Sequence, residues 1–350
     1  MVDNHTTMTM GQYIWQDREI RFDAAPRHLE NRQGEFIIDS INSVEDTKGN
    51  NGERGSLVVT NLRILWIAHK NNRTNLSIGL KTVVNINIRK AKSKLRGPTQ
   101  ALYIMTQDVG NRFEFIFTSL VKNSPRLFTT VQSVERAYKT SSLYRDLKLR
   151  GSIIRDHQLI LLPLEQVYNK IPDAWNLSSD QGNLGQFFIT NVRLVWHANL
   201  AQNFNVSVPY MQMKHVRIRG SKFGKALVIE TQPKCGGYIL GFRLHPPERL
   251  ETILKEIISL HKIFSVNPIF GVDFHEEEST PSLDQLKVVR VDDDVEIVDG
   301  DTNDAFAAYY ADGFNGGENK EISFDDDIGL ACEKLLDGWS MSSLWNVAGD

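Results

Sequence analysis

Nine cations in two short runs are the residues of this 350-residue chain whose types and spacing best suit chemistry. Arg89, Lys90, Lys92, Lys94 and Arg96 fall within NIRKAKSKLRG, and Arg217, Arg219, Lys222 and Lys225 within HVRIRGSKFGKA. Ammonium groups on a turn hold a phosphate as point charges, and guanidinium adds a planar bidentate fork. The chemistry on offer is non-covalent capture of an anion, with an anionic lipid headgroup the leading candidate. Each basic residue beside an acidic leaflet contributes on the order of 1 kcal/mol, so four or five give a real but salt-sensitive attraction. Either run alone reads better as a solvated polar loop; recurrence of the run at the same place in both copies brings a site level with that reading. Nucleic acid is the poorer ligand, because the aromatics alternate as core residues do and offer no exposed stacking platform.

Covalent chemistry finds no equipment. The chain holds no GxSxG elbow, no HExxH and no CxxC. Gly220-Ser-Lys-Phe-Gly-Lys-Ala226 is one residue short of a phosphate loop between its glycines, and Ala226 stands where a magnesium-binding hydroxyl belongs. A β-turn with flanking lysines accounts for it better. His197 and His215 have no partner at ligand spacing, so they read as structural histidines. Two cysteines, Cys235 and Cys332, make neither a disulfide framework nor a metal cluster and suit a reducing compartment. The expectation is a non-enzyme without cofactor or metal. The first residues lack the apolar stretch of a signal peptide, and no apolar run approaches the ~20 residues that span a bilayer. The chain is therefore expected to be intracellular, without a transmembrane segment.

The elements that must position these residues occur twice. Gly55–Trp66 reads GSLVVTNLRILW, and 130 positions later Gly185–Trp196 reads GQFFITNVRLVW. The same offset carries Asn75–Ile78 onto Asn205–Val208 and Ile88-Arg89 onto Ile218-Arg219. A repeat of this length is a small domain rather than a solenoid unit. Each copy runs from short β-branched strands into a helix. In the first copy the apolar stripe is Leu127, Phe128, Val131, Val134, Ala137 and Tyr138; in the second it is Leu250, Ile253, Leu254, Ile257, Ile258 and Leu260. The fold expected is mainly β: two tandem pleckstrin-homology-like barrels, each capped by a C-terminal helix. The boundaries are an extension over 1–27, domains over 28–150 and 151–274, and a tail over 275–350. Arg63 and Arg193, each between apolar neighbours, are expected to tie a loop to the barrel mouth. Trp66 and Trp196 are expected in the core.

Charge divides the chain as sharply as the repeat does. Residues 275–350 carry 20 Asp or Glu against 4 Lys or Arg, whereas the rest carries 23 against 36. A basic body with an acidic tail suits a body that meets anions and a tail that screens it or meets another protein. Much of the tail reads as extended, with a short strand open to it over Lys287–Val298 and an aromatic island at Ala305–Tyr310. Ser323–Trp345 reads as a terminal helix through Ile328, Ala331, Leu335, Leu336 and Trp339, extended by Leu344 and Trp345. Those apolar residues are the candidate partner-binding set, with docking on a partner and folding back on the chain both open.

The runs SVEDTKGNNGERGSLVVTNLRILW, WNLSSDQGNLGQFFITNVRLVWHANL, SKFGKALVIE, NPIFGVDF and DAFAAYYADG closely resemble the Bardet–Biedl syndrome protein five family. The likeness runs from about Ile14 to Trp345, whereas the TN-x-R-x-x-W core alone is similar to the wider GRAM and GLUE set. It implies a non-catalytic subunit of the BBSome, a coat-like complex that moves membrane proteins to and from cilia. It further implies two pleckstrin-type domains, phosphoinositide binding, other BBSome subunits as partners, and residence in the cytoplasm, at the basal body and along the axoneme and ciliary membrane. The opening MVDNHTTMTM departs from the family, and no lipid site carries over residue by residue. The alternative is a purely structural protein–protein scaffold without direct lipid contact.

Overall fold

The computed structural model describes residues 17–50, 52–108, 110–177, 182–274, 286–288, 309, 322–325 and 330–333. Unit one opens with β1 (Ile20–Phe22) and a one-turn helix α1 (Pro26–Leu29). It continues through β2 (Ile37–Asp46), β3 (Glu53–Thr60), β4 (Arg63–Ala68), β5 (Asn75–Gly79), β6 (Val83–Ser93), β7 (Gly97–Asp108) and β8 (Asn111–Ser119) to α2 (Arg126–Thr140). Unit two comprises β9 (Lys148–Leu149), the ribbon β10 (Ile154–Arg155) and β11 (Gln158–Leu159), then β12 (Val167–Asn176), β13 (Asn183–Thr190) and β14 (Arg193–Ala198). It finishes with β15 (Asn205–Pro209), β16 (Met213–Ser221), β17 (Gly224–Thr231), β18 (Ile239–Leu244) and α3 (Leu250–Val266).

Each unit forms one eight-stranded antiparallel sheet, and the two strand orders correspond. Unit one runs β1-β5-β4-β3-β2-β8-β7-β6; unit two, read from the opposite end, runs β9-β15-β14-β13-β12-β18-β17-β16. Among the described residues no ladder joins the two outer strands, so each barrel is half open and the helix covers the gap. The sheet pinches where β2 meets β8 over only Val44–Asp46, as β12 meets β18 over Ala174–Asn176. The pinch lets the sheet fold over its own core. Val44, Leu57, Trp66, Ile78, Leu102, Phe117 and Val131 fill that core in unit one. Ala174, Phe187, Trp196, Val208, Leu227, Phe242 and Ile253 fill it in unit two. The expected helix stripes hold, with Leu127, Phe128, Val131, Val134 and Tyr138 buried on α2 and Leu250, Ile253 and Ile257 on α3. Ile258 points outward, 46 % exposed.

Several boundaries differ from expectation for physical reasons. β2 runs on through Val44, Glu45 and Asp46, because Val44 reaches the core and the carboxylates of Glu45 and Asp46 find donors. β1 precedes the expected boundary at residue 28 and pairs with β5. The tail brings a correction. Instead of starting a helix at Ser323, the backbone forms a hairpin of β19 (Ile322–Asp325) and β20 (Leu330–Glu333). Ile-Ser-Phe-Asp alternates with a period of two, as a strand does. Ile328, Leu335, Leu336, Trp339, Leu344 and Trp345 lie outside the described residues.

The two units share a buried seam. Asp17 is fully buried and accepts a hydrogen bond from Tyr138 Oη at 2.7 Å. The Arg145 guanidinium lies 3.8 Å from the Tyr138 ring centre and donates to the carbonyls of Tyr138 and Phe270 at 2.6 and 3.0 Å. Phe270 and Val272, beyond α3, pack into the core of unit one with Met211 of unit two. Phe270 and Pro268 come so close to Gly34 that a Cβ there would meet both at 2.7 Å. Its φ of +76° also favours glycine.

Candidate anion-binding hairpins and the tail socket

Both basic runs lie on the same hairpin of their respective units, β6–β7 and β16–β17. In unit one, β6 alternates: Ile86 and Ile88 pack on the core, and the same face turns cationic at Lys90 and Lys92 where the core ends. Lys94 follows in the turn between Ser93 and Gly97, and all three lysines are exposed. Arg89 points to the opposite face, its guanidinium 5.2 Å from the Tyr103 ring centre, with Nε buried and without a hydrogen-bond partner among the described residues. Arg96 turns back to donate to the carbonyl of Ser119 at 2.7 Å, tying the hairpin to the end of β8. The five cations of the sequence thus resolve into one lysine face, one outward arginine and one structural arginine.

Glu45 holds this hairpin up. Its carboxylate is fully buried, accepts the Ser93 hydroxyl, and accepts the Lys94 amide at 2.9 Å. The Ser93 hydroxyl in turn accepts the Arg96 amide at 2.8 Å. A rigid turn presents its lysines at less entropic cost than a loose one.

Unit two distributes its cations differently. Arg217 and Arg219 share the outer face of β16, and Arg217 is paired with Glu230 at 3.0 Å. Glu230 also binds Lys214 at 2.8 Å, and those hydrogen bonds hold its carboxyl below the ordinary value. Lys222 sits at the turn, 5.0 Å from the Phe223 ring centre, and Lys225 lies across from Gly220 on the other face. The short loop that faintly resembled a phosphate loop is this turn, with Gly224 at φ +100°. Where unit one has Glu45, unit two has Trp175, and the hairpin tip leaves a groove of about 140 Å³ lined by Trp175, Leu177, Gly182, Phe223 and Arg243. Four paired residues extend past Arg89↔Ala101 in unit one, against two past Arg219↔Ala226 in unit two.

The two buried arginines tie loops, as expected. Arg63 Nε donates to Glu35 at 2.8 Å and its other nitrogens reach the carbonyls of His28 and Glu30 at 2.6 and 3.0 Å. Arg193 repeats the pair with Glu165 at 2.8 Å and reaches the Ile160 carbonyl at 3.1 Å. Trp66 and Trp196 are buried and donate to the Val44 and Ala174 carbonyls at 3.1 and 2.9 Å. His197 is buried against Phe188 and bonded to Gln186; desolvation lowers its pKa and makes it a structural group. Among the described residues no three His, Cys, Asp or Glu side chains are grouped to hold a metal, and no helix is long and apolar enough to cross a membrane.

Sequence reasoning did not place Tyr309. This tail residue is fully buried in the core of unit one, beside Phe115 and Phe22 at ring-centre distances of 4.9 and 5.3 Å. Its hydroxyl donates to the Asp46 carboxylate and accepts Asn50 Nδ2 at 2.8 Å. Its carbonyl accepts the Glu114 amide of β8 at 2.8 Å. Burial pushes the Tyr309 pKa well up and also raises that of Asp46. Val288, in turn, makes a parallel bridge to Ile88 of β6. At two described points the tail folds back. The only advance signal was an aromatic island in an acidic tail.

Models of known families match both units. The Bardet-Biedl syndrome 5 protein N-terminal PH-like domain matches residues 35–140, and the second PH-like domain of that protein matches residues 148–274. The BBSome complex member BBS5 of Danio rerio is 56 % identical over 336 residues, covering 96 % of this chain and 98 % of its own. The protein of the same name from Homo sapiens is 55 % identical over 340 residues, covering 97 % and 99 %. Among solved structures the Vps36 N-terminal PH domain aligns with 31 % of this chain and 81 % of its own, at 26 % identity and a TM-score of 0.24.

Proposed function

The chain belongs to the Bardet–Biedl syndrome 5 protein family, and on that premise we propose that it is a non-catalytic BBSome subunit that reads anionic, phosphoinositide-bearing membrane. In this role it helps the complex carry membrane proteins to and from cilia, working from the cytoplasm, the basal body and the ciliary membrane. The observation that carries the membrane reading is the exposed lysine face of Lys90, Lys92 and Lys94 on a hairpin braced by Glu45. Its cations stand where the apolar face of β6 runs out, and among the described residues no ion pair neutralises Lys90 or Lys92.

The physics is electrostatic adsorption. Headgroup phosphates replace water around the ammonium groups, and attraction falls off within a Debye length of about 8 Å at physiological salt. Unit two contributes less, because Arg217 already pairs with Glu230. Partner subunits are the other half of the proposal. Leu164 and Tyr168, 76 % and 54 % exposed near the start of β12, give the scaffold reading its own support.

Flotation of the full chain with vesicles containing phosphoinositide tests the membrane reading. Replacing Lys90, Lys92 and Lys94 by serine should weaken binding roughly hundredfold, at about 1 kcal/mol per lysine, and raised salt should mimic the loss. Salt-independent binding, or none by the intact chain while it still joins the complex, would leave the scaffold reading standing.

A further inference from the structure

We infer that the mouth of unit one is a peptide-binding socket that selects an unmodified tyrosine, and that the chain's own tail is its resident, exchangeable ligand. The socket is independent of whether the hairpins meet lipid. Four features of the Tyr309 contact define it.

The floor of the socket is polar and fully buried. Asp46 receives the Gly49 and Asn50 amides at 3.2 and 3.3 Å and Asn50 Nδ2 at 2.8 Å, and the Tyr309 hydroxyl supplies the remaining donor. A buried carboxylate left short of a donor is costly, so the floor favours a phenol over a plain aromatic ring. The walls are aromatic: Phe22 comes from β1 and Phe115 from β8. The deep end also depends on a glycine, since a Cβ on Gly49 would lie 1.9 Å from Tyr309 Cζ and Oη. Finally, the Glu114 amide on β8 binds the ligand's carbonyl beyond the three residues that β2 pairs, so the socket holds the ligand's backbone as well as its side chain.

Those features specify the ligand class. Phenylalanine fills the walls but leaves Asp46 without its fourth donor. A phosphotyrosine would bring a dianion against a buried carboxylate, which low dielectric and like charge both forbid. At Tyr309 the attachment is one side chain and one backbone hydrogen bond, and the strand order β1-β5-β4-β3-β2-β8-β7-β6 does not run through it. Unit two offers no such floor: by the 130-residue offset Asn176 replaces Asp46, and by register Leu149 replaces Phe22.

The test uses the full chain carrying Tyr309→Ala and a fluorescent peptide of residues 303–315, followed by anisotropy. The variant should bind the peptide, and the wild-type chain should bind at least about tenfold more weakly because its socket is filled. A peptide with phenylalanine in place of Tyr309 should lose about tenfold or more, one phosphorylated at Tyr309 should not bind, and adding Gly49→Ala should abolish binding. If Tyr309→Ala does not fold, Tyr309→Phe keeps the ring packing. The tyrosine peptide should then displace the tail of that variant more readily than it displaces the tail of the wild-type chain. A folded variant that ignores the peptide, or one that binds the phosphorylated form equally well, overturns the inference.

Discussion

Unit one and unit two repeat the same strand order and the same buried Arg–Glu tie, yet they finish their open ends differently. In unit one Glu45 clamps the β6–β7 turn from the outside and Tyr309 fills the mouth from the inside. In unit two the position of Glu45 holds Trp175, 38 % exposed, over an open groove, and Asn176 stands where Asp46 does. The pattern of differences is informative. Positions that shape the barrel are duplicated with their chemistry, whereas positions at the open end have diverged. A duplicated domain keeps what every copy needs to fold and varies what each copy meets. Unit one is built to hold a charged hairpin rigid and to retain a tail residue; unit two leaves apolar surface on view.

The largest effect tests what the units share. Glu35→Ala and Glu165→Ala each leave a fully buried arginine without its carboxylate, and each should cost about 3–5 kcal/mol in denaturant unfolding. A loss in one unit without the other would break the equivalence. The next effect should be confined to unit one. Tyr309→Ala vacates an aromatic site and should cost roughly 3 kcal/mol, with amide exchange at Glu114 accelerating while unit two stays protected.

Acidification should sharpen the contrast from the other side. Desolvation lowers the pKa of His197 and His261, both in unit two, below the ordinary 6.5. The folded unit then binds fewer protons than the unfolded chain, so its stability is full above about pH 6.5 and falls as pH drops through that value toward the depressed ones. Asp46 in unit one works with the opposite sign: its raised pKa favours the folded state while the carboxyl is protonated, and that contribution is lost as pH rises from the ordinary carboxylate range. Amide exchange at pH 7.5 and 5.5 should show unit two losing protection first. The smallest stability effect belongs to the lysines. Replacing Lys90, Lys92 and Lys94 by serine should move unfolding by no more than about 0.5 kcal/mol, since all three are exposed.

What could be read from the chain follows the range of the interactions involved. The 130-residue offset, the helix stripes and the roles of Arg63 and Arg193 rest on local periodicity or on comparison of two copies, and the structure bears them out. The basic runs were located on their hairpins, but the sorting of their members was not legible. That Arg96 serves the Ser119 carbonyl depends on a strand end 23 residues away, and that Arg217 serves Glu230 depends on the register of β17. Tyr309 was the hardest case, 263 positions along the chain from Asp46 and with no pattern to mark the pairing. The β19–β20 hairpin was not legible because i, i+4 spacing and two-residue alternation coexist over Ile322–Glu333.

The most direct test compares the two hairpins in one assay. Full-length chain is sedimented with phosphoinositide vesicles at two salt concentrations, once with Lys90, Lys92 and Lys94 replaced by serine and once with Arg217, Arg219, Lys222 and Lys225 replaced. A large, salt-sensitive loss is predicted from the first set and a clearly smaller one from the second. Equal losses, or a larger one from unit two, would contradict a membrane-reading role centred on the braced hairpin of unit one.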